Sequence, residues 1–136
     1  MKILVMGGTR FVGKSLVNKL LKKNYDIDIF TRGNKLNPVG TNLIRGDRND
    51  IESILKIKNK KYDVIFDISG REAEQTKTLI ENVADSFHRY IYVSSAGVYK
   101  ENYELPLSED SPLDPHSRHK GKFETENWLI DQKIPF

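Results

Sequence analysis

Lys2-Ile3-Leu4-Val5-Met6-Gly7-Gly8-Thr9-Arg10-Phe11-Val12-Gly13 opens the chain after its first methionine. An unbroken apolar run, then glycines, then apolar residues at helical spacing read as a buried strand, a tight turn and a helix. Where a helix starts this way its free amides can meet a pyrophosphate. One glycine allows the turn, a second lets backbone approach the phosphates, and a third lets helix and strand pack closely. Gly7 and Gly13 fit the first and third roles, while Arg10 stands at the second position of a GxxGxxG spacing. Gly7, Gly8, Thr9, Arg10, Phe11, Val12 and Gly13 are therefore the candidate cofactor-binding loop. Phe11 and Val12 are expected to open the helix, with Val12 packed on the sheet.

The same letters satisfy a rival pattern. Gly8-Thr9-Arg10-Phe11-Val12-Gly13-Lys14-Ser15 matches GxxxxGK[ST], in which Lys14 would reach the outer phosphates of a triphosphate and Ser15 would hold magnesium. Asp67, after Val64-Ile65-Phe66, would then be the second acidic partner of the metal. Against this, Phe11 and Val12 would sit in a polar phosphate cradle. A glycine turn with no ligand is the third alternative. In the dinucleotide reading Lys14 is an ordinary solvated residue on the outer face of the helix.

Outward from the loop, strand and helix periods alternate along the chain, which predicts a doubly wound parallel sheet, an α/β Rossmann-like fold. Val12, Leu16, Val17, Leu20 and Leu21 share a helical face. Further strands are expected at 25–30, 42–45, 63–68 and 90–94, and helices near 50–60, 71–87 and 117–131. Residues 100–115 form the longest irregular stretch, and loops of that length are usually functional. The 136 residues suit one domain over 1–136. Lys133-Ile134-Pro135-Phe136 looks like the start of another strand, so the expectation is a fragment of a longer protein, cut before a substrate-binding part.

Composition removes several classes. No apolar run approaches the roughly 18 residues of a membrane span and no leader pattern is visible, so no membrane is expected and the expected location is cytoplasmic. The chain has no cysteine, which excludes disulfides, thiolate nucleophiles and cysteine-held zinc. His88, His116 and His119 have no ligand spacing, so no metal site is expected. A net charge of +3 permits an anionic partner without requiring one. A homo-oligomer is left open. The second strand ends Phe30-Thr31-Arg32, and an arginine there suits a 2′-phosphate, favouring NADP(H) with NAD(H) as the alternative. Arg32 as a plain exposed turn residue before Gly33 is the competing account.

Three more segments, Asp67-Ile68-Ser69-Gly70-Arg71-Glu72, Val93-Ser94-Ser95-Ala96-Gly97-Val98-Tyr99 and Ser117-Arg118-His119-Lys120-Gly121-Lys122-Phe123-Glu124-Thr125-Glu126, complete a resemblance. With the glycine loop they resemble the N-terminal half of an atypical extended short-chain dehydrogenase/reductase of the NAD-dependent epimerase/dehydratase group. More narrowly, the GGTRFVG and SRHKGK segments are similar to the stem-loop-binding proteins of chloroplasts and their cyanobacterial and bacterial relatives. That resemblance implies a nicotinamide dinucleotide and an RNA-associated role, since members are linked to RNA binding, ribosome association and, in some cases, endonucleolytic cleavage. It also implies that Asp47, with Arg48 beside it, contacts adenine. A helix-capping role for Asp47 is the alternative.

Enzymatic members of the group use a serine, a tyrosine and a lysine four residues after the tyrosine. The resemblance carries the serine to Ser95 and the lysine to Lys122, the candidate catalytic pair, and the tyrosine position to Arg118. No tyrosine in the chain has lysine four residues on. A guanidinium cannot replace a phenol in proton transfer. Whether the chain is an enzyme is thus left open, with His119 or Tyr99 as substitute acids and a surface pair with Glu126 as the alternative for Lys122. His116, Arg118, His119, Lys120 and Lys122 also place several donors at one helix start, an RNA or anion site for cofactor phosphates or an RNA backbone. Tyr99 and Tyr103 are candidates to stack unpaired bases. The runner-up function is an NADP-dependent nucleotide-sugar epimerase, dehydratase or reductase, and a phosphate-loop NTPase comes third.

Overall fold

Lys2–Met6 (β1) lies at the centre of a five-stranded parallel sheet with Asp26–Thr31 (β2), Asn42–Arg45 (β3), Tyr62–Asp67 (β4) and Phe87–Tyr92 (β5), ordered β3-β2-β1-β4-β5. A computed structural model describes residues 1–101 and 105–134. The helices are Phe11–Leu21 (α1), Ile51–Leu55 (α2), Ala73–Val83 (α3) and Lys120–Asp131 (α4). β1 is apolar without alternation because both its faces are covered. Leu4 and Met6 point to one core with Ile65, Leu79 and Leu129, while Ile3 and Val5 point to the other with Val17, Ile27 and Ile29.

Several element boundaries differ from the sequence expectation. The third helix stops at Val83 and passes through a short 3-10 turn, and Phe87 opens β5 instead of closing a helix. Ser86 Oγ donates to the Lys58 carbonyl at 2.7 Å, which anchors the chain for its turn into the strand. α4 starts only at Lys120, because Ser117 Oγ donates to the Gly97 carbonyl at 2.6 Å and accepts from His119 N–H at 3.0 Å. Val12 does not pack on the sheet; it is 62% exposed. The sheet-facing stripe of α1 is Gly13 and Val17, one turn apart, and Val12 falls beside it. Lys133 and Ile134 lie outside any strand, with Ile134 packed against the core; Pro135, Phe136 and Tyr103 fall outside the described residues.

Candidate functional site

The chain runs β1 to β2 to β3 in one direction and then returns to place β4 on the other side of β1. At such a reversal the loops leaving neighbouring strands diverge, and ligands bind outside the carboxyl ends of the strands. A cleft of about 710 Å³ opens there. Gly7, Thr9, Arg10, Phe11, Val12 and Gly13 form one wall. Arg32, Asn34 and Lys35 follow from β2, Asp47 to Asn49 from β3, Ser69 and Arg71 from β4, and Lys122 from α4.

The glycine loop is shaped by close approach. Gly7 has φ +90°, its N–H donates to the Phe30 carbonyl at 3.0 Å, and a Cβ there would stand 2.9 Å from that of Ser69. A Cβ at Gly13 would overlap the Gly7 carbonyl oxygen. Gly8 is turned to Val17 and Ile29 and does not line the cleft. Arg10 sits in extended backbone, φ −137° and ψ 155°, which any residue adopts, so the missing glycine leaves no strain at that position. The positive φ falls one residue later: Phe11 has φ +40° and is 88% exposed. Arg10 makes no side-chain cap and no acid stands in the first turn of α1, leaving its first amides for a ligand anion.

The phosphate-loop reading fails on two residues. Lys14 is exposed and is not part of the cleft wall. Asp67, its supposed magnesium ligand, is fully buried and saturated with donors. Arg48 grips it with two hydrogen bonds, Nη1 to Oδ1 at 2.7 Å and Nη2 to Oδ2 at 2.9 Å. Tyr90 Oη donates at 2.6 Å, Gly70 N–H at 2.9 Å, Ser69 N–H at 3.2 Å and Thr76 Oγ1 at 3.3 Å. Burial alone would push the Asp67 carboxyl up, but the guanidinium, the Tyr90 hydroxyl and the Gly70 amide hold it below the usual carboxylate range. Arg48 is 9% exposed, forms the cleft floor and also donates to Ser69 Oγ at 3.0 Å. The residue expected to face the cofactor is thus committed mainly to Asp67.

Asp47 lines the cleft and does not cap a helix. Its Oδ1 accepts from Asn49 N–H at 2.9 Å and Nδ2 at 3.1 Å, while the cap of α2 is Asp50, accepting from Glu52 and Ser53 amides. Asn49 Oδ1 in turn accepts from Gln75 Nε2 at 2.8 Å, tying this wall to α3. Arg32 stands where expected, and Asn34 and Lys35 join it. Sequence reasoning missed those two, although the polar run Thr31-Arg32-Gly33-Asn34-Lys35 directly after an apolar strand was the available signal.

The segment from Ser94 to Lys122 is split by the fold. Ser95 is occupied as the cap of a short turn, its Oγ accepting from Gly97 N–H at 3.2 Å, and it lies off the cleft wall. Ser94 stands on that wall instead, and its Oγ is buried without a partner. Lys122 Nζ donates to the Val93 carbonyl and lies 4.7 Å from the Tyr92 ring centroid. It forms no ion pair with Glu126 among the described residues. Burial, reinforced by Arg48 and Arg71, holds its ammonium below the ordinary lysine range. Tyr92 offers Lys122 its ring face, its hydroxyl donates to the Gly70 carbonyl at 3.3 Å, and burial pushes the phenol up to about 12. Such a group is a poor proton donor at neutral pH.

Arg118 and Lys120 are exposed, Arg118 Nε donates to His119 Nε2 at 3.1 Å, and none of the three lines the cleft. Of that cationic segment, Lys122 alone reaches the cleft wall. Gly121 between them is pressed against the chain entering α3: a Cβ there would overlap the Arg71 carbonyl oxygen and crowd Glu72. Tyr99 pairs with Leu113 in an isolated antiparallel bridge. Among the described residues no cluster of three metal-binding side chains occurs, and no helix is long and apolar enough to cross a membrane.

Residues 3–131 match the model of the NAD dependent epimerase/dehydratase family. The chain is 39% identical over 151 aligned positions to the Arabidopsis thaliana chloroplast stem-loop binding protein of 41 kDa b, covering 98% of this chain and 39% of that protein. It is 30% identical to a putative UDP-glucose 4-epimerase of Methanocaldococcus jannaschii, covering 85% of this chain and 45% of the relative. Among solved structures, the UDP-glucose 4-epimerase of Thermus thermophilus in complex with NAD superposes with a TM-score of 0.85 at 20% identity, over 98% of this chain and 52% of that one. The chain thus spans about two fifths of the first of these relatives and about half of the solved structure.

Proposed function

The chain belongs to the NAD-dependent epimerase/dehydratase family, and from that premise we propose that its cleft binds a nicotinamide dinucleotide, NADP(H) in preference to NAD(H), in an RNA-associated role without hydride turnover. The charge of the cleft carries this reading. Arg10, Arg32, Lys35, Arg71 and Lys122 line it with no ion pair among the described residues, against the single carboxylate of Asp47. Gly7 and Gly13 leave the cradle for a pyrophosphate, the uncapped start of α1 supplies amides, and Asp47 stands ready for adenine. Arg32 and Lys35 together suit a 2′-phosphate.

A bound nicotinamide supplies hydride transfer, which needs a proton donor beside the substrate. Arg118 takes the position of that donor and lies off the cleft, Tyr92 is held protonated, and Ser95 is committed to a turn. The relative named as a stem-loop binding protein supports the RNA-associated role, with Arg118 and Lys120 as exposed donors at the start of α4 and His119 half-buried between them. The second reading, a nucleotide-sugar epimerase, dehydratase or reductase, is favoured by the unpartnered Ser94 Oγ close to Lys122 on the same wall.

Calorimetric titration with NADPH and NADH tests the cofactor claim. NADPH is expected to bind at least roughly tenfold more tightly, about 1.4 kcal/mol, and Arg32→Ala with Lys35→Ala to erase the difference. Equal affinities in the unaltered chain would remove the NADP(H) preference, and no binding of either by folded protein would remove the dinucleotide reading. Turnover of nucleotide sugars that disappears in Lys122→Met would establish the second reading in place of the first.

A further inference from the structure

We infer that RNA and the dinucleotide exclude one another, because an unpaired stretch of the RNA lies in this same cleft, with its phosphates on Lys122, Arg71 and Arg10 and a base stacked on Phe11. The inference rests on the RNA-associated reading above and adds the location and its regulatory consequence. It starts from a surplus of charge. A dinucleotide pyrophosphate brings two negative charges, and a 2′-phosphate about two more. Arg32 and Lys35 suffice for the 2′-phosphate end, and the α1 amides take much of the pyrophosphate charge. Arg10, Arg71 and Lys122 remain on the walls of a groove without an ion pair among the described residues, the arrangement that tracks a nucleic-acid backbone.

Phe11 supplies the second observation. A phenylalanine that is 88% exposed gains almost nothing from burial, and its φ of +40° adds backbone strain. It lies on the cleft wall directly after Arg10, so an apolar ring is displayed among cations. Stacking on an unpaired base uses both faces of that arrangement, ring on base and guanidinium on phosphate.

Shared space supplies the third. Arg118 precedes α4 and Lys120 opens it, both exposed and off the cleft wall, whereas Lys122, more than half a helical turn past Lys120, faces the cleft. Arg10, Phe11 and Lys122 line the same cleft of about 710 Å³ as Arg32, Lys35 and Asp47, so a dinucleotide that fills it leaves no room for the RNA stretch. Dinucleotide supply thereby sets how much RNA the protein carries, whatever the redox state of the nicotinamide.

The experiment is a titration of the full chain into a fluorescein-labelled stem-loop RNA with an unpaired loop, read by anisotropy at constant ionic strength and repeated over a range of NADPH. With exclusion, the apparent Kd for RNA rises without limit, by about 100-fold when NADPH is a hundred times its own Kd. Phe11→Ala is expected to weaken RNA binding roughly tenfold. Arg10→Ala with Arg71→Ala removes two phosphate contacts and lowers the slope of log affinity against log salt by about 1.4. RNA binding that is indifferent to saturating NADPH, or weakened only to a plateau, overturns the shared cleft and leaves the RNA-associated role standing. No RNA binding by a chain that melts cooperatively overturns both.

Discussion

Removing the Arg48 side chain tests the energetics of the cleft floor. Asp67 is fully buried and is the ion-pair partner of Arg48 among the described residues, through bonds of 2.7 and 2.9 Å. Arg48→Ala leaves that carboxylate with four neutral donors and no hydrogen-bonded counter-charge, a change that costs about 3–5 kcal/mol at buried pairs. Against a domain stability of roughly 5–15 kcal/mol this is a large fraction, equivalent to a fall in Tm of about 10–20 °C for a chain of this size. The pH dependence has a definite sign. In the unaltered chain the Asp67 carboxyl lies below its unfolded value, so its contribution is complete above that value and fades only as pH falls through the folded one. Without Arg48, burial raises the carboxyl above its unfolded value of about 3.9, so the variant gains stability as pH falls through the raised value. The gap between the two proteins should therefore be widest at about pH 8 and narrow by roughly 1–2 kcal/mol at about pH 5. Adding Asp67→Asn removes the charge, keeps an acceptor for the Gly70 and Ser69 amides, and should recover about 2 kcal/mol. Urea denaturation followed by circular dichroism measures all three. A gap below about 1 kcal/mol at the higher pH, or one that does not narrow, would refute the account of Asp67 as a charged and paired hub.

Gly13→Val places side-chain atoms on the Gly7 carbonyl and should abolish dinucleotide binding at concentrations that saturate the unaltered chain, as read by calorimetry. Lys122, held below the ordinary lysine range chiefly by burial, should react with acylating reagents at lower pH than an ordinary lysine once it is reached, and dinucleotide should protect it; mass spectrometry of labelled peptides reads both. Of the six tyrosines, Tyr62, Tyr90 and Tyr92 are all pushed up, first by burial, so ultraviolet titration of the folded protein should leave at least these three un-ionised near pH 11. Tyr90→Phe deletes the 2.6 Å bond to Asp67 and should cost about 1–3 kcal/mol in the same denaturation assay.

The glycine loop and the parallel sheet were legible because each is written in adjacent residues: apolar Ile3 to Met6, Gly7, then Phe11 onward. Their spacing is fixed by strand and helix geometry alone. The Arg48–Asp67 pair was not legible, since its members are 19 positions apart and meet only because β4 returns beside β1. Asp47 and Asp50 illustrate a smaller limit: both precede the short α2, and only the backbone path decides which carboxylate reaches the free amides. Val12 was misplaced by a single step of helical phase, because Gly13, with no side chain to announce itself as apolar, is the residue that faces the sheet. Ser94 and Ser95 exchanged places for a related reason, the short turn after β5 claiming the second hydroxyl as its cap.

Gly121 gives the site a fixed gauge. Because the start of α4 rests directly on the backbone of Arg71, the two cations that flank the contact, Lys122 and Arg71, cannot drift apart independently. They behave as the jaws of a caliper whose opening is set by one hydrogen atom at position 121. Widening the jaws with a methyl group would not blunt every ligand equally: anions would be re-ranked by the distance between their charges, and those that had fitted best would lose most.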